Sequence, residues 1–162
     1  MIGQDNPKHR FGSFMKYLPK STANASDGKK EGEYPFFTSS VEQNKWTDNY
    51  LYDDNCLIIG NGGVANIQYY SGKFSTGSHS FVTKAIVDFV STKYVYLYFY
   101  SDLSLLEAGF RGVGIKNISK EFINDLMIPI PEMEVQNRII HLYDQSDKSK
   151  YLLQKCRIRS SL

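Results

Sequence analysis

Residues 109–139 read GFRGVGIKNISKEFINDLMIPIPEMEVQNRI and contain the main elements of the C-terminal half in order. A glycine-rich loop leads to a short helix, for which Ser119 is a suitable N-cap. The apolar run at residues 126–130 is too short for a helix, and Pro129 within it favours an edge strand over a central one. Pro131 then suits the start of a long helix, because its missing N–H has no partner to lose there.

The long helix is predicted to run from Glu132 to about Cys156, and it would be about 37 Å long at 1.5 Å per residue. Apolar and small residues recur along it in steps of four and three, which is the a/d pattern of a coiled-coil seam. The predicted seam comprises Val135, Ile139, Leu142, Ser146, Ser149, Leu153 and Cys156. Two interpretations stay open. The helix folds back onto its own domain, or it pairs with a helix from a second copy or from a second half of a larger protein.

The preceding residues alternate between strand-like segments and turns. Strands are predicted at residues 33–37, 56–59, 66–70 and 79–86, and turns at residues 53–55, 60–65 and 71–73. Residues 11–18 predict one or two helical turns, and residues 88–108 favour a helix capped by Ser91 or Thr92, although the aromatic run at 95–100 also suits a strand. The predicted fold class is α/β (α+β): a small mixed β-sheet with short helices, followed by a long C-terminal coiled-coil-type helix.

Residues 60–65 read GNGGVA and formally match the dinucleotide fingerprint GxGxxG/A. That fingerprint needs a helix directly after it, because the helix N-terminus holds the pyrophosphate. Residues 66–70 alternate in polarity and indicate a strand instead. We therefore favour a glycine-rich hairpin turn, whose accessible backbone N–H groups suit a phosphate or a base edge. A nucleotide-using enzyme is the third-ranked hypothesis, which saturable binding of NAD or S-adenosylmethionine would support.

The composition predicts one packed domain with a modest appendage, since the 162 residues are 41% hydrophobic and 14% aromatic. The net charge of +2 gives no simple electrostatic case for nucleic acid, so DNA binding would need a local basic patch. Cys56 and Cys156 lie far apart and are predicted to be buried thiols. His9, His79 and His141 share no ligand spacing, so no metal site is predicted.

Membrane insertion and catalysis are both unexpected for this sequence. The first residues do not resemble a signal peptide, and no apolar run approaches the roughly twenty residues that cross a bilayer, so a cytoplasmic protein is expected. The sequence contains no Walker loop, nucleophile elbow or carboxylate pair with a suitably spaced lysine. It therefore predicts a non-catalytic chain without a cofactor.

Several segments resemble the target-recognition domain of the DNA-specificity (S) subunits of Type I restriction–modification enzymes. The family's "Lys/Pro-Asn-Ile-Ser" and "Pro-x-x-Glu-Glu-Gln-x-x-Ile" segments are matched by Lys116, Asn117, Ile118, Ser119, Pro131, Glu134, Gln136 and Ile139. Residues 34–40 are similar to the family's early strand, and residues 56–63 are similar to its glycine turn. Val135 departs from the pattern, because the family usually has a second glutamate there.

The resemblance implies sequence-specific recognition of double-stranded DNA by a non-catalytic subunit. Methyltransferase (modification) subunits and restriction subunits would supply methylation and cleavage. It also implies a recognition domain at residues 1–130 and a conserved spacer and dimerisation helix at residues 131–162. Because family subunits usually carry two recognition domains, we expect a half-subunit that forms a homodimer, a truncated gene product or a piece of a larger protein. A two-fold dimer would read a symmetric split target.

The candidate DNA-binding residues are loop lysines, which can neutralise phosphates, and polar or glycine residues of the turns, which can approach base edges. They are Lys16, Lys20, Lys29, Lys30, Thr38, Ser39, Ser40, Lys45, Asn61, Gly62, Gly63, Asn66, Lys73, Ser78, His79, Arg111 and Lys116. A solvated loop is the alternative for the lysines at residues 16–30. A structural or surface role is the alternative for His79.

A function of another class also stays open. Twelve tyrosines and ten phenylalanines would suit a protein- or glycan-binding module that oligomerises through its C-terminal helix. The low net charge is the best support for this alternative. An affinity that falls steeply with salt concentration would favour DNA instead.

Overall fold

The computed structural model describes residues 6–160, without the side chains of Ser149 and of residues 151–160. The strands are β1 (Lys8–Arg10), β2 (Met15–Tyr17), β3 (Tyr34–Phe37), β4 (Lys45–Thr47), β5 (Tyr52–Gly60), β6 (Ile67–Thr76), β7 (Ser80–Ala85) and β8 (Met127–Pro129). The α-helices are α1 (Phe11–Phe14), α2 (Thr92–Ser101), α3 (Ser104–Glu107), α4 (Lys120–Asp125) and α5 (Met133–Ser160), and a 3₁₀ turn covers Ala25–Asp27.

Six of these strands form one mixed sheet in the order β2-β7-β5-β6-β3-β4. Neighbours in the sheet are antiparallel except β3 and β6, which run parallel. Strands β1 and β8 form a separate antiparallel pair, which places the start of the described chain beside the segment that precedes α5. The prediction of a mixed sheet with short helices is confirmed. Pro129 lies in β8, which pairs with β1 alone in the described chain, so the predicted edge strand is confirmed.

The β5–β6 hairpin is central to the sheet, and both faces of β5 are buried. Leu57 and Ile59 belong to the larger hydrophobic cluster, which also includes side chains of α2. Cys56 and Ile58 belong to a second cluster with Phe74. This two-sided burial explains why residues 56–59 are continuously apolar instead of alternating. Burial raises the pKa of the Cys56 thiol to about 12, in agreement with the predicted buried cysteine.

Two turns predicted in this hairpin are wrong. Residues 53–55 and 71–73 are paired in the β5–β6 ladder, where Asp54 lies opposite Gly72. Asp54 forms an ion pair with Lys84 of β7, so its charge is matched across the sheet. Gly72 has a φ of +130°, a conformation that glycine tolerates within the strand. Polar and glycine residues therefore mark an exposed part of the β5–β6 ladder here and not a turn.

The helix predicted over residues 11–18 is also too long. Helix α1 ends at Phe14, and Met15 begins β2, which pairs with β7. Phe11, Phe14 and Met15 are all buried, so their apolar spacing is satisfied by a single helical turn followed by a strand.

The predicted helix caps are confirmed. The Ser91 hydroxyl accepts a hydrogen bond from the Tyr94 N–H at 3.4 Å, and the Ser119 hydroxyl accepts one from the Phe122 N–H at 3.2 Å. The helical segment predicted at residues 88–108 is divided into α2 and α3. Asp102 lies between them and accepts a hydrogen bond from the Ser104 N–H at 3.1 Å.

The predicted long helix is present as α5, and its first turns pack on the domain. Gln136 is fully buried, and Ile139 and Ile140 contact the larger cluster. Of the remaining predicted seam, Leu142 is 62% exposed. Ser146 is also exposed. The side chains of Ser149, Leu153 and Cys156 lie outside the described residues.

Candidate nucleic-acid interface

A cavity of about 380 Å³ lies where the loops at one end of the sheet meet. Five predicted residues line it: Thr38 and Ser39 after β3, Gly62 after β5, and Ser78 and His79 before β7. Sheet pairing explains this convergence, because β3 ends beside the end of β6 and β5 ends beside the start of β7. The loops that adjoin these strand ends therefore meet at one edge.

The cavity walls are held by side-chain hydrogen bonds to backbone groups. The Ser39 hydroxyl donates to the Gly62 carbonyl oxygen at 2.8 Å and accepts from the Gly62 N–H at 3.3 Å. Asn66 is 4% exposed, and its Nδ2 donates to the carbonyl oxygens of Ser39 at 3.2 Å and Val64 at 3.0 Å. A Cβ at Gly60 would lie 2.5 Å from that Nδ2 and 2.8 Å from Ser39 Oγ, so a larger residue there would displace both side chains from these hydrogen bonds. Ser39 and Asn66 thus position the loops.

A second glycine-rich turn, residues 111–117, is joined to the β5–β6 turn. Arg111 and Asn117 exchange both backbone hydrogen bonds, each at 2.9 Å, and so form a short antiparallel ribbon. The Gly63 N–H donates to the Lys116 carbonyl oxygen at 3.0 Å, and Gly62 is bridged to Asn117. The two turns therefore form one backbone platform beside the cavity.

Most predicted polar and glycine candidates lie on or under this platform, whereas most of the lysines lie elsewhere. The residues brought together are Thr38, Ser39, Asn61, Gly62, Gly63, Asn66, Ser78, His79, Arg111 and Lys116. Asn61 belongs to the set because its N–H donates to the His79 carbonyl oxygen at 3.0 Å.

The other lysine candidates are dispersed and several have protein partners. Lys16 lies on the edge strand β2, and Lys20 lines a separate cavity. Lys29 forms an ion pair with Asp48 at 3.0 Å, and the Lys73 ammonium lies 4.9 Å from the centroid of the Tyr50 ring. The remaining candidates are Lys30 and Ser40, which are exposed, and Lys45, which donates to the Ala25 carbonyl oxygen.

Sequence reasoning missed four residues of the cavity wall, namely Ala25, Gly77, Ile115 and Asn117. Asn117 was identified only as part of a family-like segment, and Ile115 was not singled out. A usable signal was the pattern of residues 112–115, in which glycines alternate with β-branched apolar residues in a polar surrounding. Glycines at such a turn predict a displayed loop, and apolar residues on it predict a contact.

The second turn is locally basic although the whole chain is nearly neutral. Arg111 and Lys116 are the charged residues of the turn 111–117, and Glu107, just outside it, lines a shallow cavity with Lys116. The cavity adds hydroxyl, amide and imidazole groups, which can donate to or accept from base edges and phosphates. In the part of the chain that the structure describes, no group of three His, Cys, Asp or Glu side chains could hold a metal ion. Among the same described residues, no helix is long and apolar enough to span a membrane.

The chain belongs to the family described as the Type I restriction modification DNA specificity domain, which matches residues 8–162. It is 30% identical over 128 residues to the Type I restriction enzyme EcoDI specificity subunit of Escherichia coli, covering 77% of this chain and 27% of that protein. It is 24% identical over 148 residues to the MjaVIII specificity subunit of Methanocaldococcus jannaschii, covering 85% of this chain and 35% of that protein.

Solved structures share the fold. The S subunit of a Type I restriction–modification system from M. genitalium matches with a TM-score of 0.78 at 19% identity, over 91% of this chain and 41% of that chain. The HsdS subunit from Thermoanaerobacter tengcongensis matches with a TM-score of 0.62 at 16% identity, over 93% of this chain and 39% of that chain. The chain therefore spans between about a quarter and about a third of the curated relatives' length and about two fifths of these structures.

Proposed function

We propose that this chain is a target-recognition domain that binds double-stranded DNA in a sequence-specific manner. Its family membership supports this function, and the structure supplies the observation that carries it. Predicted polar and glycine residues of three separate loops converge on one cavity beside a basic, glycine-rich platform. A surface of this kind offers hydrogen-bonding groups to base edges and cations to the flanking phosphates.

In this proposal the residues of the site divide into two roles. Thr38, Ser78 and His79 face the cavity and would contact bases or phosphates directly. Arg111 and Lys116 are exposed and would neutralise phosphates. Ser39 and Asn66 already bind backbone groups, so they would act by positioning the loops.

The wider assembly is also part of the proposal. The chain would be the non-catalytic specificity component of a Type I complex in the cytoplasm, directing methyltransferase and restriction subunits to the target. Residues 1–130 would form the recognition domain, and residues 131–162 would form the spacer and dimerisation helix.

The test of DNA recognition uses the full chain reconstituted with its methyltransferase subunits and a library of random duplexes. We expect one sequence to be enriched, with an affinity that falls steeply as salt rises. The double variant Ser78→Ala/His79→Ala should bind the enriched sequence at least about tenfold more weakly. The matched control is His141→Ala, since His141 is exposed on α5, away from the cavity. Failure to enrich any sequence, or binding insensitive to salt, would support the protein- or glycan-binding alternative.

We further propose that the exposed part of α5 pairs with a second copy. Val135 and Ile139 of the predicted seam lie against the domain, so pairing would begin at Leu142, a large apolar residue that is 62% exposed. Light scattering over a concentration series should show a dimer that Leu142→Glu dissociates and that His141→Glu leaves intact. A monomer at every concentration would contradict this pairing. Truncation at Pro131 is a poorer test, because it also removes the buried Gln136.

A further inference from the structure

The tip of the second glycine turn displays apolar side chains to solvent. Val113 is fully exposed at 105% and Ile115 is 77% exposed. A Cβ built on Gly114 would meet no atom within 4 Å, so the tip stands clear of the rest of the described protein. Gly112 and Gly114 have φ values of +139° and +84°, which hold the tip in a conformation that other residues rarely adopt.

The chain fixes this tip at its base while leaving its apolar side chains without a described partner. The Arg111–Asn117 ribbon and the Gly63–Lys116 hydrogen bond attach it to the platform by backbone groups alone. Val64, on the neighbouring turn, is 67% exposed as well. Apolar residues scattered singly on a surface are ordinary, but apolar residues grouped on a backbone-stiffened tip indicate a contact surface.

Charge and position indicate which partner the tip contacts. Arg111 and Lys116 flank it and are the only charged residues of the turn 111–117, so the turn itself favours a polyanion. Ile115 also lines the cavity that contains Ser78 and His79, so the tip continues the candidate DNA interface. An apolar tip between two cations suits a duplex, in which the cations contact phosphates and the tip reaches the bases.

The width of the tip indicates which groove of the DNA it can enter. Two antiparallel strands lie about 4.8 Å apart before side chains are added. The major groove is about 12 Å wide and admits a two-stranded ribbon, whereas the minor groove is only about 6 Å wide. In the major groove the apolar feature of a base pair is the C5-methyl group of thymine.

On these grounds we propose that Val113 and Ile115 enter the major groove of the target and recognise thymine through its methyl group. This inference rests on the proposed function and specifies part of it. It assigns base discrimination to residues that form no hydrogen bond through their side chains, next to a cavity whose polar groups would read other positions.

The test uses the reconstituted complex and the sequence that the wild-type chain enriches. Replacing each thymine of that sequence by uracil removes only the methyl group, so the protein is unchanged. At one thymine or more, affinity should fall about fourfold per methyl contact. The variant Val113→Ser/Ile115→Ser should bind the thymine-containing target at least about tenfold more weakly and should not distinguish uracil from thymine. Ile86→Ser is the matched control, since Ile86 is 56% exposed just after the opposite end of β7.

Each other result would overturn the inference. Equal wild-type affinity for thymine and uracil at every position would do so, as would an enriched sequence without thymine or a variant that binds like the wild type. A variant that no longer assembles with the methyltransferase subunits would show that the tip is a protein contact. If the wild-type chain enriches no sequence at all, the proposed DNA recognition fails first, and the inference fails with it.

Discussion

The start of α5 and the glycine-turn platform are both fixed by one buried side-chain amide, yet the two regions differ in what they leave exposed. At the start of α5, Gln136 Oε1 accepts from the Ser91 N–H at 2.9 Å, and its Nε2 donates to the carbonyl oxygens of Phe89 and Pro131, each at 2.8 Å. At the platform, Asn66 Nδ2 donates to two loop carbonyl oxygens. The Gln136 amide joins elements that also share a hydrophobic core. The Asn66 amide joins turns whose other side chains face solvent.

This difference separates structural from functional side chains. Around Gln136, Ile139 and Ile140 pack on the core, so most neighbouring changes should alter stability. On the platform, backbone hydrogen bonds and Asn66 hold the turns. The side chains of Val113 and His79 are therefore not needed to keep the turns in place, and substitutions there should alter binding more than stability.

Asn66→Asp should have the largest effect. The new carboxylate would be buried facing the carbonyl oxygens of Ser39 and Val64, and we expect the free energy of unfolding to fall by about 3 kcal/mol or more at pH 7. Because burial and these oxygens would raise its pKa in the folded state, the loss should shrink as pH falls toward about 4. Urea unfolding at pH 7 and pH 4.5 measures both effects.

The matched control for this change is Asn44→Asp, which introduces the same charge on an exposed side chain. It should change the free energy of unfolding by less than about 0.5 kcal/mol. A small effect at both positions would mean that Asn66 does not hold the platform.

Gln136→Leu should have the second-largest effect. Leucine fills similar space but leaves the Ser91 N–H and the two carbonyl oxygens without the amide, which we expect to cost about 3 kcal/mol in urea unfolding. Asn137→Ala, one residue further and exposed, should cost less than about 0.5 kcal/mol. If both variants were equally stable, the start of α5 would be held by its apolar contacts alone.

The sequence predicts features that depend on neighbours along the chain. Ser91 and Ser119 precede their helices as caps, and the apolar run at 56–59 with the glycines after it predicts the central hairpin. Prediction from the sequence fails where the local structure depends on pairing with a distant segment. Residues 53–55 are polar enough for a turn, but pairing with β6 makes them a strand, because strand preference depends on the partner.

The same limit applies to the candidate site. The polar residues after β3 and before β7 were predicted separately, since strand ends are where loops carry function. Their approach to Ile115 and Asn117 depends on backbone bonds between turns about fifty residues apart in the chain, which no local pattern reveals. Gln136 likewise is predicted only as part of the family-like segment. Its bond to Pro131 is local, but its bonds to Ser91 and Phe89 become visible only when α5 is placed against the start of α2.

Alanine at the two glycines of the tip should have a smaller effect on stability. Gly112→Ala combines a φ of +139° with a Cβ 3.0 Å from the Ile115 carbonyl oxygen, so we expect a loss of about 2 kcal/mol. Gly114→Ala has a φ of +84° and no close contact, so a loss of about 1 kcal/mol is expected in thermal unfolding. Gly77→Ala, whose Cβ would make only an ordinary contact at 3.6 Å, should be nearly neutral. Neutral results at all three would show that the tip is not stiffened by its backbone.

Asp144→Asn should have the smallest effect, because it removes the charged contact between α2 and α5 and leaves Gln136 in place. The Asp144 carboxylate lies 2.7 Å from the Lys93 ammonium, but their side chains are 40% and 24% exposed, so the pair should contribute only about 0.5 kcal/mol. That contribution should vanish in 1 M NaCl, where the screening length is about 3 Å. Asp88→Asn, at an exposed position before α2, is the control for the change in net charge. A loss above about 2 kcal/mol that salt does not reduce would mean that charge, and not the buried amide, fixes α5 to the domain.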